Sequence, residues 1–157
     1  MNSLFTAIYT LFTPSTLITE AGDTRITEAG DTRITEKFID FYNDIGGRLY
    51  LDVAPQAATF PYCVYTGDRI NEMDFTDERR AFSIQFDIFT QNNSALSAGN
   101  ILENLKTVFD NCVLSVSGWR HLQFKRDMIN PNNDFSQVPP VVGYSIDYDV
   151  LLEKAKG

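Results

Sequence analysis

Three sets of side chains in this sequence are of types that do chemistry. The first is a pair of thiols and one imidazole: Cys63, Cys112 and His121 are the chain's only cysteines and histidine. A cysteine nucleophile needs a base within hydrogen-bond reach and a third group to orient that base. Both thiols lie in apolar contexts and no orienting partner stands out near His121. A cysteine hydrolase is therefore weighed against two reduced core thiols and an ordinary, partly exposed histidine beside Trp119. The second set is Asp87, Asp147 and Asp149, three carboxylates that strand alternation can bring to one wet face. Such a group suits Mg²⁺ or Ca²⁺; the competing reading is a solvated sheet surface. The third is the stretch "GWRHLQFKR", where Arg120, Lys125 and Arg126 stand among aromatic residues. That mixture can touch a phosphate backbone, and it equally describes the exposed side of a strand or a charged subunit contact.

Nothing else in the chain supplies catalytic equipment. There is no C-x-x-C spacing and no second histidine from which to build a zinc site. No phosphate-binding glycine loop and no G-x-S-x-G turn is present. The expectation is no catalytic residue, no cofactor and no metal.

These side chains need a scaffold, and the periodicity describes one. The 157 residues suffice for one domain with its own core. Leu4, Phe5, Ile8, Leu11 and Phe12 fall at helical spacing before Pro14. Phe38, Phe41, Tyr42 and Ile45 do the same, with Gly46 placed as a left-handed cap. Leu49, Leu51 and Val53 then alternate with Tyr50 and Asp52, "PYCVYTGDRI" reads as a second strand, and "RRAFSIQFDIFTQ" sends Phe82, Ile84, Phe86 and Ile88 to one face. The segment "NNSALSAGNILENLKTVFDN" has a helical stripe from Ala98 to Phe109, with Asn93 or Ser94 as its N-cap. Two further strands follow, "GWRHLQFKRD" and "VVGYSIDYDVLLE", separated by a turn-rich loop. The sum is an α+β fold: a mostly antiparallel sheet of about five strands, with one long helix and short N-terminal helices on one face.

One segment does not fit this pattern. Residues 18–36, "ITEAGDTRITEAGDTRITE", repeat an eight-residue unit twice and begin it again. Each copy reads as a short strand, with Gly22 and Gly30 suited to hairpin loops, so the expectation is a small β-meander inserted in the domain. Burying Ile18, Ile26 and Ile34 does not offset the ordering of about 19 residues. Such an arm needs a surface to dock on, either its own domain or a neighbouring subunit. The competing reading is a duplication tolerated in an exposed loop.

Charge limits the partners. Acidic residues outnumber basic ones 21 to 13, for a formal net charge of −8. Tight nucleic-acid binding draws on a basic surface that displaces counterions, so it is not expected here. No apolar run approaches the roughly 20 residues that cross a bilayer, and the apolar stretch near Met1 has no basic leader. Neither a membrane span nor a secretory signal is expected.

The stretch "GGRLYLDVAPQAATFPYCVY", residues 46–65, resembles a segment characteristic of the tail completion, or tail terminator, proteins of long-tailed bacteriophages. The residues that carry the likeness are Gly46, Arg48, Leu49 and Tyr50, then Ala54, Pro55 and Gln56, then Pro61, Tyr62, Val64 and Tyr65. It continues in outline over residues 37–153; the 18–36 repeat is not part of the family pattern. The resemblance implies a non-enzymatic ring, commonly a hexamer, at the head-proximal end of the tail tube. There it stops tube growth and faces the neck, with DNA passing through without specific binding. Its partners would be further copies of the chain, the tail tube protein and neck or head completion proteins. Its location would be the virion, and the host cytoplasm during assembly. Contacts are expected at the sheet edges, on the arm (Ile18, Arg25, Ile26, Arg33, Ile34), on the connection bearing Glu72, Asp74 and Glu78, and on the loop from Asn130 through Phe135 to Pro140. Another neck or head completion protein, and less readily a small-molecule binding domain, stay open as alternatives.

Overall fold

A computed structural model describes residues 2–12, 40–70, 79–91 and 95–156. The 18–36 repeat, the 72–78 connection, Phe38 and the Asn93 or Ser94 cap lie outside them. The described elements run α1 (Asn2–Phe12), β1 (Leu49–Leu51), β2 (Tyr62–Ile70), β3 (Arg79–Thr90), α2 (Ala95–Phe109), β4 (Trp119–Pro131) and β5 (Val142–Lys154). The strands form one sheet in the order β1-β2-β3-β5-β4. β2, β3, β5 and β4 pair antiparallel, whereas β1 runs parallel to β2. The expected α+β class, a mostly antiparallel five-stranded sheet with helices on one face, is the fold observed.

Alternation on the two central strands builds the core. Phe82, Ile84, Phe86 and Ile88 of β3 are buried on the same face as Ile146, Tyr148, Val150 and Leu152 of β5. Helix α1 buries Leu4, Ala7, Ile8 and Phe12 against that face, and α2 buries Ile101, Leu102, Leu105, Val108 and Phe109. Residues 40–44 are helical and add Phe41 and Ile45. Gly46 then takes a φ of 57°, the left-handed geometry that its place after a helix called for. Gly47 follows at 71°.

Two strands depart from simple alternation. β1 stops at Leu51 because Asp52 adopts a φ of 61°, which turns the chain out of the sheet. Leu49 is therefore buried while Val53, expected on the same side, is 77% exposed. β4 has register shifts between His121 and Gln123 and between Arg126 and Ile129. Each is a bulge that breaks the period of two, and Leu122 and Met128 are exposed there.

Candidate functional site

The sheet face opposite the core has no described helix over it, and it is the surface on which the chain places its chemistry. Register sets its composition. Asp87 stands opposite Ser145, Gln85 opposite Asp147 and Ser83 opposite Asp149. On the far side of β5, Lys125 stands opposite Asp149 and Asn130 opposite Ser145. Neighbouring strands lie about 4.8 Å apart, so the carboxylates form a band across the middle of the sheet.

The band is partly neutralised by hydrogen bonds and partly not. Gln85 donates from Nε2 to both oxygens of Asp87, at 2.9 and 3.1 Å. Ser145 Oγ also donates to Asp87 Oδ1. Asp147 has the opposite environment: its pKa is raised above the usual carboxylate value, first by burial and then by Asp87, Asp127 and Asp149. Asp127 was not anticipated. It lies in the second bulge of β4, where alternation gives no guide to the direction of a side chain. Among the described residues no group of three or more acidic, histidine or cysteine side chains is arranged to hold a metal ion. The expected Asp87, Asp147 and Asp149 thus share a face as a repelling row, without converging on a common point.

That repulsion has a measurable sign. A carboxyl with a raised folded-state pKa favours the fold while protonated and opposes it once ionised, so at neutral pH Asp147 lowers stability. Asp147→Asn is expected to stabilise the protein at pH 7 by on the order of 0.5 kcal/mol. The gain should shrink as salt screens the row. It should disappear as pH falls below the ordinary carboxylate value of 3.8, where Asp147 is neutral in both states. Urea melts of the two proteins at several pH values check this.

An aromatic group closes one end of the same face. Tyr62 meets Tyr50 edge-on at 6.0 Å between ring centroids, Phe60 at 5.1 Å and Phe89 at 5.2 Å. Here the residues of the 46–65 segment acquire a physical role. Arg48 donates from Nε to the Pro61 carbonyl at 3.0 Å, tying the start of β1 to the start of β2. The Pro55 carbonyl accepts a hydrogen bond from Ala58 N at 3.0 Å, closing the turn that contains Gln56. Tyr65, by contrast, turns to the core and stacks on Phe86 at 6.0 Å. Gly46, Arg48, Tyr50, Pro55, Pro61 and Tyr62 therefore shape one corner of the sheet.

The basic residues do not form a patch. Arg120 pairs with Glu153 on the outer face, and Arg79 reaches the same carboxylate at 3.2 Å. Arg126 points the other way and meets Asp110 at 3.4 Å. Asp110 also accepts a hydrogen bond from the buried Tyr148 hydroxyl at 2.8 Å. The grouping of Arg120, Lys125 and Arg126 in sequence is thus divided between two faces in space.

A pairing of Cys63 with His121 loses its geometry. Cys63 lies on β2 and His121 on β4, with β3 and β5 between them. Three strand spacings amount to about 14 Å, far beyond hydrogen-bond reach. Burial pushes the Cys63 thiol well up and the Cys112 thiol up to about 12, away from the thiolate that a nucleophile requires. His121 is shifted down by burial, and its Nδ1 is buried without a hydrogen-bond partner among the described residues.

The fold has a counterpart among solved structures. It matches a chain described as "Virion of native gene transfer agent (GTA) particle", with a TM-score of 0.61 and 11% identity. The match covers 76% of this chain and 91% of that one. At that identity the likeness is one of fold. No protein-family model matches the chain, and no curated protein does. Among the described residues no helix is long and apolar enough to cross a membrane.

The residues expected at contacts fall into two groups. Ile18, Arg25, Ile26, Arg33, Ile34, Glu72, Asp74 and Glu78 lie outside the described residues. Asn130 and Phe135 are described, and both are exposed, Phe135 by 74%.

Proposed function

We propose that this chain is a structural, non-enzymatic virion protein: a tail terminator or tail completion protein that assembles as a ring, a hexamer, at the head-proximal end of a phage tail tube. The observation that carries the reading is the fold, shared over nearly the whole of a chain from a virion particle. The order and spacing of the residues from Gly46 to Tyr65 narrow it to the tail terminator family. In this reading the ring stops tube polymerisation and joins the tail to the neck, its neighbours being the tail tube protein and neck or head completion proteins.

The outer face of the sheet supports a passage for DNA. A ring that lets a polyanion slide needs a wall that repels phosphate without gripping it. Asp87, Asp127, Asp147 and Asp149 make such a wall, with Lys125 opposite Asp149 as a cation on the same face and Arg79 and Arg120 engaged by Glu153. The single 1–157 domain would meet its neighbours through its sheet edges, since β4 offers 13 residues of strand on one border. The 18–36 arm would add contacts at its rim.

Deleting the gene from the virus and imaging the particles by negative stain tests the reading. Overlong tubes are the expected result. Finished tails of normal length lying free beside full heads would instead assign the chain to the neck, as a joining or head completion protein. Normal infectious particles would remove it from the junction altogether.

A further inference from the structure

β4 is the long free edge of the sheet. It has 13 residues, pairs with β5 on one side, and has no described strand on the other. Such an edge presents backbone N–H and C=O groups to any extended segment that fits it. The edge at the opposite border does not fit, because β1 has three residues. Register shifts divide β4 into the paired stretches Trp119–His121, Gln123–Arg126 and Ile129–Pro131. Those bulges exclude a long flat strand and leave room for a short one. Leu122 and Met128 are exposed beside the middle stretch, so an occupant with an apolar side chain gains there. β4 is also a basic strand in an acidic protein, carrying Arg120, Lys125 and Arg126 against Asp127.

The 18–36 arm has the matching properties. Its T-R-I-T-E units, Thr24–Glu28 and Thr32–Glu36, are short, alternate, and each hold one isoleucine. The arm carries five carboxylates against two arginines, the opposite balance to β4. Its place in the fold sets its direction. Phe12, the last residue of α1, meets Phe41 at 5.5 Å and Tyr42 at 5.1 Å, so residues 13–39 leave and return at one point. That point lies on the β1–β2 side: the Tyr42 carbonyl accepts from Gly47 N at 2.8 Å just before β1, and Phe5 of α1 meets Tyr65 of β2 at 5.8 Å. α2 covers the core face toward β4, its Phe109 ring meeting both Phe86 and Phe124. The root of the arm and the free edge are thus on opposite borders of the sheet. Copies set side by side bring the root of one to the β4 edge of the next, within the roughly 40 Å that residues 13–39 can reach out and back.

We infer that the 18–36 arm of one copy adds as a strand to the β4 edge of the adjacent copy. A T-R-I-T-E unit pairs with Gln123–Arg126, its isoleucine toward Leu122 and Met128 and its glutamate toward Lys125. This contact joins two different patches, so it propagates from copy to copy and closes a ring when the rotation allows. The inference rests on the proposed ring and names where its arm binds.

Sedimentation of the full chain tests it with two variants. Ile18→Pro/Ile26→Pro/Ile34→Pro removes strand pairing from every copy of the unit, and Gln123→Glu/Lys125→Glu turns the edge acidic at two exposed positions. Each alone is expected to weaken self-association by about tenfold or more, and Glu20→Lys/Glu28→Lys/Glu36→Lys should restore the edge variant. Mixed together, the arm and edge variants should form heterodimers that do not grow, because the intact arm of one still fits the intact edge of the other. Native-sized oligomers from the arm variant, or no heterodimer in the mixture, would overturn the contact while leaving the ring in place. A lower thermal midpoint for the arm variant with its oligomer intact would place the arm on its own sheet and likewise overturn it. A native chain that stays monomeric at every concentration would remove both contact and ring.

Discussion

Gly143→Ala is expected to destabilise the protein by about 3 kcal/mol, lowering the thermal midpoint by roughly 10 °C for a domain of this size. The reason is a backbone that cannot yield. A Cβ at position 143 would stand 1.9 Å from the Ile88 carbonyl oxygen, 3.0 Å from its carbon and 3.2 Å from the Asn132 carbonyl oxygen. Ile88 lies near the end of β3, but it is paired with Cys63 of β2 on one side and Tyr144 of β5 on the other, so its carbonyl moves only if three strands move. Gly143 is itself held from the β4 side: its carbonyl accepts from Asn132 N at 2.9 Å, and its N–H donates to Asn133 Oδ1 at 3.3 Å. Gly99→Ala is the control. It lies within α2 with nothing inside 4 Å of the added carbon, and alanine there should stabilise by about 0.5–1 kcal/mol. Equal effects at the two glycines would contradict the steric account.

The contrast between those glycines was not visible in the sequence, and the reason is general to this fold. Periodicity reports which face of an element is apolar. It marks β3 and β5 because each is buried on one side and wet on the other over its whole length. It does not report where one backbone approaches another, as at Gly143. Nor does it show direction: the parallel pairing of β1 and β2 follows from the turn at residues 52–61, whose positive φ at Asp52 a non-glycine residue does not advertise. The two bulges of β4 hide in the same way, since an extra residue shifts every later side chain to the opposite face.

The candidate site was legible to the extent that it depends on alternation. Asp87, Asp147 and Asp149 stand on the wet side of clean strands, so their common face was readable. Asp127 joins them through a bulge and was not. The separation of Arg120 from Arg126 has the same cause, with one register shift lying between them. The Arg48 to Pro61 hydrogen bond explains why an arginine and a proline 13 residues apart belong to one motif.

Phe109→Ala should cost about 3–5 kcal/mol, read as a lower urea midpoint. Phe109 ends α2 at full burial, and its ring meets those of Phe86 at 4.5 Å, Phe124 at 6.1 Å, Phe41 at 6.3 Å and Tyr148 at 6.4 Å. Those four neighbours come from β3, β4, the helical turn at 40–44 and β5, so the ring joins the helical layer to three strands. The cavity left by alanine is hard to close. Phe86 and Phe124 are fixed by strand pairing, and Tyr148 is tethered through its hydroxyl to Asp110. Leucine at the same position keeps most of the volume and should cost less than about 1.5 kcal/mol. Phe135 provides the opposite case: truncating a side chain that is 74% exposed should leave stability within about 0.5 kcal/mol. If Phe135→Ala nonetheless weakens self-association while Phe109→Ala acts only through unfolding, one aromatic residue serves the subunit and the other the assembly. Similar losses of stability from both would mean that the β4–β5 loop is part of the core's support and not a surface kept for a neighbour.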